Sequence, residues 1–337
     1  MERDVSITSG TMIAKALSER GHNVVLVDSF FGYTEPYDKE RPEDIFLKDH
    51  KTEIIKVKEK EPDLEAVRAK RRQGNNSTLG DNVLEICRKA DITFFALHGD
   101  DGENGKMQAV FDIAGIKYTG SGYLGSALAM NKRLSKDLFT YCGILTPPWI
   151  SVCKEEAHYA DIGFPCVVKP CSGGSSVGTS IVFNREEYKG ALELAFKYEN
   201  TLIVEKYIKG RELTVGVIDG KAMPVIEIIP KTGFYDYKNK YQAGLTSELC
   251  PAPLSEEDTI RIQRLGVRAH EVLMIDVYSR IDFLMDEKGD IYCMEANTLP
   301  GMTSTSLIPR MALEQGKSFG ELCEEIIEVS KKKYDKA

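Results

Sequence analysis

The chain has 337 residues, of which 28% are charged, and its formal net charge is −8. Acidic and basic residues are interspersed without a basic patch, and no apolar run is long enough for a membrane span or a signal peptide, which excludes nucleic-acid-binding and membrane proteins. We therefore expect a cytoplasmic protein with no nucleic-acid or membrane partner. The length exceeds what one hydrophobic core usually supports, so we expect two or three domains with a ligand cleft between them.

The eight cysteines include no C-x-x-C pair, and most lie within apolar segments. This placement is typical of reduced thiols packed in a core, and it does not suit zinc ligands or a disulfide framework. We expect reduced cysteines.

Helical and strand patterns alternate in the N-terminal third of the chain. Residues 8–20 and 84–89 have helical periodicity, whereas residues 23–27 and 92–97 are apolar runs that favour strands. This alternation predicts an α/β domain with a parallel sheet and with ligands near the carboxyl ends of its strands. The polar stretch at residues 30–80 is predicted to be a surface excursion.

The middle of the chain is predicted to contain one helix and three strands. Residues 126–142 have a helical pattern, and apolar or β-branched runs follow at residues 166–169, 179–183 and 202–207. The first two strands flank a loop rich in glycine and serine at residues 172–178. We expect a hairpin whose loop amides can bind phosphate oxygens.

This loop admits three interpretations. Its segment Gly174-Ser175-Ser176-Val177-Gly178 satisfies the G-x-S-x-G pattern of serine hydrolases, but that motif needs a helix after the serine, and a strand-like run follows here. A Walker A motif needs Lys after its last glycine, which this loop lacks. The third interpretation is a flap over a nucleotide, with Lys169 as a cation for phosphate.

The C-terminal half begins with a predicted hairpin. Strands at residues 213–218 and 223–229 flank Asp219-Gly220, a pair typical of a type I′ turn. A long loop and two helices are predicted to follow, at residues 231–252, 256–273 and 306–314.

Polar residues that suit a divalent cation occur on two adjacent predicted strands near residues 280 and 297. If residues 286–289 form the turn between these strands, Asp282 lies opposite Cys293 and Arg280 lies opposite Glu295. Side chains two positions apart share a face, so one face of the hairpin is predicted to carry Arg280, Asp282, Glu295 and Asn297.

Carboxylate and amide oxygens are the ligands that Mg²⁺ prefers, with water and substrate phosphate completing its octahedron. Asp282, Glu295 and Asn297 supply such a set, and Arg280 adds a planar cation beside a transferred phosphoryl group. For this pattern alone, a solvated, salt-bridged hairpin is the alternative.

Short motifs follow one another in a fixed order over nearly the whole chain. They are Ala96-Leu97-His98-Gly99 with Gly102-Glu103-Asn104-Gly105, Tyr118-Thr119-Gly120-Ser121-Gly122, Met130-Asn131-Lys132, Val168-Lys169-Pro170 with the glycine loop, Phe234-Tyr235-Asp236-Tyr237 with Lys240-Tyr241, and Glu295-Ala296-Asn297 with Pro300-Gly301-Met302-Thr303-Ser304. In this composition and order they resemble the D-alanine–D-alanine ligases, members of the ATP-grasp superfamily. That family joins two D-alanines with ATP, through an acyl phosphate, for peptidoglycan synthesis.

The resemblance implies an ATP-grasp fold that is α+β in its ATP-binding part, with an N-terminal α/β domain built on a parallel sheet. It implies three parts: an N-terminal substrate domain (1–120), a central ATP-grasp subdomain (121–209) and a C-terminal subdomain with the metal and substrate sites (210–337). It also implies ATP and D-alanine as substrates, two Mg²⁺ ions that Mn²⁺ can replace, and a homodimer.

The same resemblance assigns roles to individual residues. The implied catalytic residues are Glu2, Ser175, Tyr241, Arg280 and Gly301, of which Arg280 and the Gly301 N–H stabilise an oxyanion. The residues implied to bind ATP are Lys132, Lys169, Glu205, Lys206, Ile208, Glu212, Lys240, Phe283 and Met294. The metals are assigned to Asp282, Glu295 and Asn297, and the amino-acid substrates to Glu2, His98, Ser306 and Leu307.

The chain departs from the family at its beginning. Family members have a strand and a glycine-containing turn before the position of Glu2, and this sequence has neither. We expect either a start farther upstream or a shortened form. The alternatives that stay open are D-serine or D-lactate as second substrate and an inactive nucleotide-binding relative, with a serine hydrolase ranked last.

Overall fold

The structure is a computed structural model that describes residues 3–48, 67, 69–71, 77–155, 162–174, 176–230 and 246–335. The chain divides into two compact units. One is Met1–Tyr123 together with Leu299–Ala337, and the other is Leu124–Thr298. In the described part of the chain, no helix is both long enough and apolar enough to cross a membrane.

The helices, numbered in chain order, fall into both units. A 3₁₀ helix, Pro42–Leu47, follows the first of them. The α-helices are α1 (Arg3–Glu19), α2 (Val83–Cys87), α3 (Asp100–Glu103), α4 (Lys106–Ile113), α5 (Tyr123–Met130), α6 (Lys132–Tyr141), α7 (Arg185–Ala195), α8 (Glu256–Val272), α9 (Leu307–Glu314) and α10 (Phe319–Lys331).

The strands that the structure describes form two sheets, both in the unit of residues 124–298. They are β1 (Trp149–Cys153), β2 (Cys166–Pro170), β3 (Ser180–Val182), β4 (Thr201–Lys206), β5 (Gly210–Ile218), β6 (Lys221–Pro230), β7 (Thr246–Leu249), β8 (Tyr278–Asp286) and β9 (Ile291–Asn297).

The N-terminal unit contains the predicted first helix, which is longer than expected and packs against α10. The strands predicted at residues 23–27 and 92–97 are not assigned as strands. Among the described residues of this unit, one parallel bridge joins Thr93 to Tyr118, with Thr93 N–H donating to Lys117 O at 2.8 Å. The predicted parallel sheet is therefore not shown by the structure.

The smaller sheet has the strand order β1-β4-β2-β3, and all of its strands are antiparallel. Helix α7 packs on β2 and β3, and its buried side chains join those of the strands in one apolar core, which includes Val168, Leu192 and Val204. The three strands predicted for this region are confirmed. The glycine loop therefore connects two strands of one sheet.

The larger sheet has the order β7-β6-β5-β8-β9 and is also antiparallel. Helix α8 covers one face, where Ile281, Phe283 and Ile262 are completely buried. The predicted type I′ turn is confirmed, because both central residues have positive φ, 51° at Asp219 and 70° at Gly220.

Two further predicted elements differ from the structure. Residues 126–142 were expected to form one helix, but Asn131 ends α5 and begins α6, and its side chain accepts a hydrogen bond from Leu134 N–H at 3.1 Å. An asparagine that caps a helix in this way cannot also continue the preceding one. The loop predicted at residues 231–252 contains strand β7, which pairs with β6, and residues 231–245 lie outside the described part.

Candidate active site

The polar face of the β8–β9 hairpin contains the four residues that the sequence placed there. In the observed register Asp282 lies directly opposite Glu295, and Arg280 lies opposite Asn297. Residues directly opposite one another on antiparallel strands project to the same side. The prediction that these side chains share a face is therefore supported, although the pairing behind that prediction was wrong.

The predicted register, with Asp282 opposite Cys293, fails for two reasons. The loop between the strands begins one residue later than expected, so that Phe283 pairs with Cys293, and a bulge between Asp282 and Phe283 adds a second shift. A register shift of one residue moves every side chain of a strand to the opposite face of the sheet. A second shift of one residue moves it back to the original face. The bulge thus keeps Cys293 and Ala296 in the core while Glu295 stays on the polar face.

Asp282 is the centre of a hydrogen-bond network on this face. Arg280 donates to both of its carboxylate oxygens, from Nε at 2.9 Å and from Nη2 at 2.7 Å. Thr214 Oγ1 donates at 2.6 Å from the neighbouring strand β5, and Asn297 Nδ2 donates at 3.0 Å. These contacts fix the orientation of the carboxylate before any ligand binds.

Glu295 faces a lysine of helix α6. Lys132 Nζ lies 3.5 Å from Glu295 Oε2, and it donates to Gly173 O of the glycine loop at 2.5 Å. The backbone N–H of Lys132 donates to Cys171 O at 2.9 Å. One lysine therefore links the polar face of the hairpin to the start of the glycine loop.

The oxygen atoms on this face suit a magnesium ion. Asp282 and Glu295 contribute carboxylates, and Asn297, whose amide nitrogen donates to Asp282, presents its amide oxygen as an acceptor. In the described part of the chain, no group of three His, Cys, Asp or Glu side chains could hold a metal. The ligands that this face offers to a magnesium ion are therefore two carboxylates and one amide.

A buried cluster of three charges lies beside the glycine loop. Glu205 is 1% exposed, and its carboxylate forms an ion pair with Lys169 at 2.5 Å and another with Lys136 at 2.7 Å. Burial raises the pKa of Glu205, but the two ammonium groups more than offset this and hold the pKa below its usual range. Lys136 was missed by sequence reasoning.

One signal could have identified Lys136. It follows Lys132 by one helical turn and precedes Phe139, so spacing alone places it on the buried stripe of α6. A lysine on such a stripe needs a buried acid as partner.

The glycine loop is anchored at its start. Glu199 accepts hydrogen bonds from Ser172 N–H at 2.7 Å and from Ser172 Oγ at 3.0 Å. Ser176 and Gly178 have positive φ, and a Cβ at Gly178 would come within 2.8 Å of the Tyr198 ring. A strand, β3, follows the loop, so the strand-to-helix elbow of a serine hydrolase is absent from this part of the described chain.

The remaining residues implied to bind ATP lie on several strands and differ in how exposed they are. Glu212 lies in β5 opposite Leu284, and Lys206 ends β4. Met294 is half-buried, whereas Phe283 is completely buried on the core side of β8, away from Asp282. The predicted site residues that lie outside the described part are Glu2, Ser175, Lys240 and Tyr241.

The residues implied to bind the second substrate lie together in the other unit. A Cβ at Gly301 would approach Ser306 Oγ to 2.9 Å, so only glycine fits this position without displacement. Ser306 precedes helix α9, and its hydroxyl accepts from Thr303 N–H at 3.0 Å rather than capping the helix. Leu307 is the first residue of that helix.

His98 is held beside this segment by both ring nitrogens. Its Nδ1 lies 2.9 Å from Leu299 O, and its Nε2 lies 2.9 Å from Ser9 Oγ. Glu103 belongs to one of the sequence motifs, but no role was predicted for it. Its carboxylate accepts hydrogen bonds from Gly99 N–H at 2.7 Å and from Leu299 N–H at 3.3 Å. These contacts connect the His98 loop to the residues before Gly301.

Comparison with known proteins identifies the family. The profile of the D-ala D-ala ligase N-terminus matches residues 1–121, and that of the D-ala D-ala ligase C-terminus matches residues 138–328. The chain belongs to the D-alanine–D-alanine ligase family. The predicted membership is confirmed.

Individual relatives agree with this assignment. The D-alanine–D-alanine ligase of Pediococcus pentosaceus is 41% identical over 99% of this chain and 95% of its own length. That of Lacticaseibacillus casei is also 41% identical, over 99% of this chain and 93% of its own. A crystal structure of the Bacillus anthracis ligase complexed with ATP has a TM-score of 0.67 and 35% identity, covering 76% of this chain and 84% of the other. The fold is thus the ATP-grasp fold of these ligases.

Proposed function

We propose that the protein joins two molecules of D-alanine to D-alanyl-D-alanine with cleavage of ATP to ADP and phosphate, for peptidoglycan precursor synthesis. The observation that carries the proposal is the polar face of the β8–β9 hairpin, where Asp282, Glu295 and Asn297 lie beside Arg280 in a chain of this family. ATP and D-alanine are the substrates, and the reaction takes place in the cytoplasm. The active form is a homodimer, and each chain has three functional parts (1–120, 121–209 and 210–337).

The first step transfers the γ-phosphoryl group of ATP to a carboxylate oxygen of the first D-alanine. A P–O bond forms to that oxygen while the bond between the γ-phosphorus and the β–γ bridging oxygen breaks, and ADP takes the electron pair. Lys132, Lys169 and Lys240 bind the phosphates, and Glu205 with Lys206 and Ile208 binds the adenine. Met294 flanks the base, and Glu212 binds the ribose. Phe283, which the family resemblance assigned to ATP, packs in the apolar core instead.

Asp282, Glu295 and Asn297 would hold two Mg²⁺ or Mn²⁺ ions, which neutralise phosphate charge when bound. Asp282 keeps its orientation through Arg280 and Thr214, so the chain itself supplies a preorganised carboxylate. Glu295 stays within reach of Lys132, which therefore balances its charge.

In the second step the amine of the second D-alanine attacks the acyl carbon. A C–N bond forms, the C–O bond to phosphate then breaks, and the departing phosphate takes up the proton that the amine loses. Arg280 and the Gly301 N–H stabilise the oxyanion of the tetrahedral intermediate. The amides at the start of α9, with Ser306 and Leu307, bind the carboxylate of the second substrate, because a helix N-terminus favours an anion.

The first D-alanine is bound through its ammonium group by Glu2, which Ser175 and Tyr241 support by hydrogen bonds. His98 lies near the second substrate. Its two ring contacts, to Leu299 O and to Ser9, give it a fixed orientation, which suits a positioning role.

A product assay tests the function. The protein is incubated with Mg²⁺, ATP and D-alanine alone or with added D-serine or D-lactate, and phosphate and products are measured by colorimetry and mass spectrometry. We expect phosphate release only with D-alanine present, and D-alanyl-D-alanine as the main product. A mixed dipeptide or an ester as main product would favour the D-serine or D-lactate alternative, and no amino-acid-dependent release would favour an inactive relative.

A further inference from the structure

Lys136 is a completely buried cation of the cluster beside the glycine loop. Its side chain is 0% exposed, yet no part of the proposed mechanism uses it. Its Nζ forms the ion pair with Glu205 Oε2 at 2.7 Å and donates to Thr146 Oγ1 at 2.7 Å. Lys169 Nζ binds the other oxygen of the same carboxylate, so Glu205 lies between two lysines.

The charges of this buried cluster do not cancel. With Lys136 present, two ammonium groups face one carboxylate, and the cluster of Lys136, Glu205 and Lys169 has a net charge of +1. Without Lys136, the pair of Glu205 and Lys169 would be neutral. A neutral ion pair attracts a triphosphate far less than a cluster with one uncompensated positive charge, above all where little water screens it.

Stability alone does not explain this arrangement. Removing charges from water costs several kcal/mol per ion, and an apolar side chain of similar size often serves a protein core as well or better. Apolar side chains also lie beside the cluster, with Phe139 and Cys293 completely buried. The cost of burying this lysine points to a role for its charge other than stability.

We propose that Lys136 is a positioning residue for ATP: by binding one oxygen of Glu205, it leaves Lys169 as a net positive charge for the triphosphate and fixes the carboxylate that faces the adenine. This inference rests on the proposed function, because it assigns Glu205 and Lys169 to the nucleotide site. Lys136 itself does not touch the substrate.

The titration of the cluster agrees with this role near neutral pH. Burial lowers the pKa of Lys136 to about 8, in spite of the opposing effect of Glu205. The charged groups that face Lys136 are Glu205 and Lys169, and the neutral groups are Thr146 and the Cys293 thiol, whose pKa burial raises. Lys136 is therefore mostly protonated at pH 7.

The test uses Mg²⁺-tripolyphosphate as a probe that lacks adenine, so that only the phosphate part of the site is measured. The variants are Lys136→Met, Glu205→Gln and the double variant. Lys136→Met lowers the net charge of the cluster to 0, and the double variant restores +1. Glu205→Gln leaves a charge between +1 and +2, because Lys136 loses the partner that raises its pKa. Calorimetry should give an affinity about tenfold or more weaker for Lys136→Met, unchanged or tighter for Glu205→Gln, and close to the unaltered protein for the double variant.

Lys189→Met is the matched control, because Lys189 is an exposed lysine of α7. It should leave tripolyphosphate affinity unchanged. In steady-state assays, Lys136→Met should raise the KM for ATP without changing the KM for D-alanine, and Lys136→Arg should restore most of the affinity for ATP.

A purely structural role predicts a different pattern. Lys136→Met would then lower thermal stability without weakening tripolyphosphate binding, and this result would overturn the proposal. If Lys136→Met does not fold, Glu205→Gln alone decides, since binding weaker than that of the unaltered protein contradicts the charge argument. The proposed ligase function is tested separately, by the product assay. If that function is wrong, the unaltered protein forms no dipeptide.

Discussion

Asp282 connects the chemistry of the site to the residues that orient it. Its two oxygens receive hydrogen bonds from Arg280, Thr214 and Asn297, so its carboxylate is held on the polar face by three strands. The same contacts bring the Arg280 guanidinium to a defined place. A donor fixed in advance stabilises a developing negative charge without reorganisation.

Replacement of Arg280 by alanine should lower kcat by about 10²–10³-fold, because one preorganised donor to the oxyanion is lost. The KM for ATP should change much less. Steady-state kinetics measure both, and Arg268→Ala, which removes an exposed arginine of α8, is the control. An Arg280→Ala protein with kcat within threefold of the unaltered enzyme would rule out the assigned role.

Replacement of Glu295 by glutamine tests the metal assignment. The substitution keeps the shape but removes a carboxylate charge opposite Asp282, so the Mg²⁺ concentration needed for half-maximal activity should rise by about tenfold or more. Titration of activity with Mg²⁺ measures this, with the exposed Glu271→Gln as control. Full activity at an unchanged Mg²⁺ requirement would show that Glu295 does not bind the metal.

At the scale of single elements, sequence reasoning found most of the ATP-binding part. Strands β2, β3 and β4 and helix α8 follow from their apolar patterns, and the type I′ turn follows from Asp219-Gly220. The predicted hairpin register was wrong because a bulge has no sequence signature, and the bulge places both Cys293 and Ala296 in the core.

The other differences also have physical causes. Asn131 is compatible with the interior of a helix, and only its contact with Leu134 N–H shows that it separates α5 from α6. Lys136 was missed because its partner Glu205 is distant in sequence, although helical spacing places Lys136 on the buried stripe of α6. Contacts between distant residues cannot be read from local patterns.

Helix α8 is attached to β8 through a buried histidine, which predicts a pH effect on stability. His270 is 4% exposed, and its Nδ1 lies 2.8 Å from Ser279 Oγ. Burial lowers the pKa of His270 to about 4, although Asp276 opposes this. The unfolded chain therefore binds a proton between pH 6.5 and about 4 that the folded chain does not.

The free energy of unfolding should accordingly fall as the pH decreases through this range, and His270 should contribute up to about 3 kcal/mol to the loss. Denaturant unfolding at several pH values measures it, and a His270→Gln variant should show a shallower decline. Parallel pH profiles for the two proteins would mean that His270 does not titrate as inferred.

At the scale of the whole molecule, the candidate residues belong to two compact units. The hairpin, the charged cluster and the glycine loop lie in residues 124–298, whereas His98, Gly301 and Ser306 lie in the unit formed by the two ends of the chain. Periodicity could not assign residues 299–337 to the N-terminal unit, because that assignment depends on the packing of α10 on α1. The family resemblance supplied the function that the local patterns left open.

The most direct test of the account follows one oxygen atom. D-Alanine labelled with ¹⁸O in its carboxylate is turned over with ATP and Mg²⁺, and the released phosphate is analysed by mass spectrometry. Activation through an acyl phosphate transfers one labelled oxygen from each activated D-alanine to phosphate, and we expect that result together with D-alanyl-D-alanine. Unlabelled phosphate, released while the dipeptide forms, would contradict the proposed phosphorylation of the carboxylate.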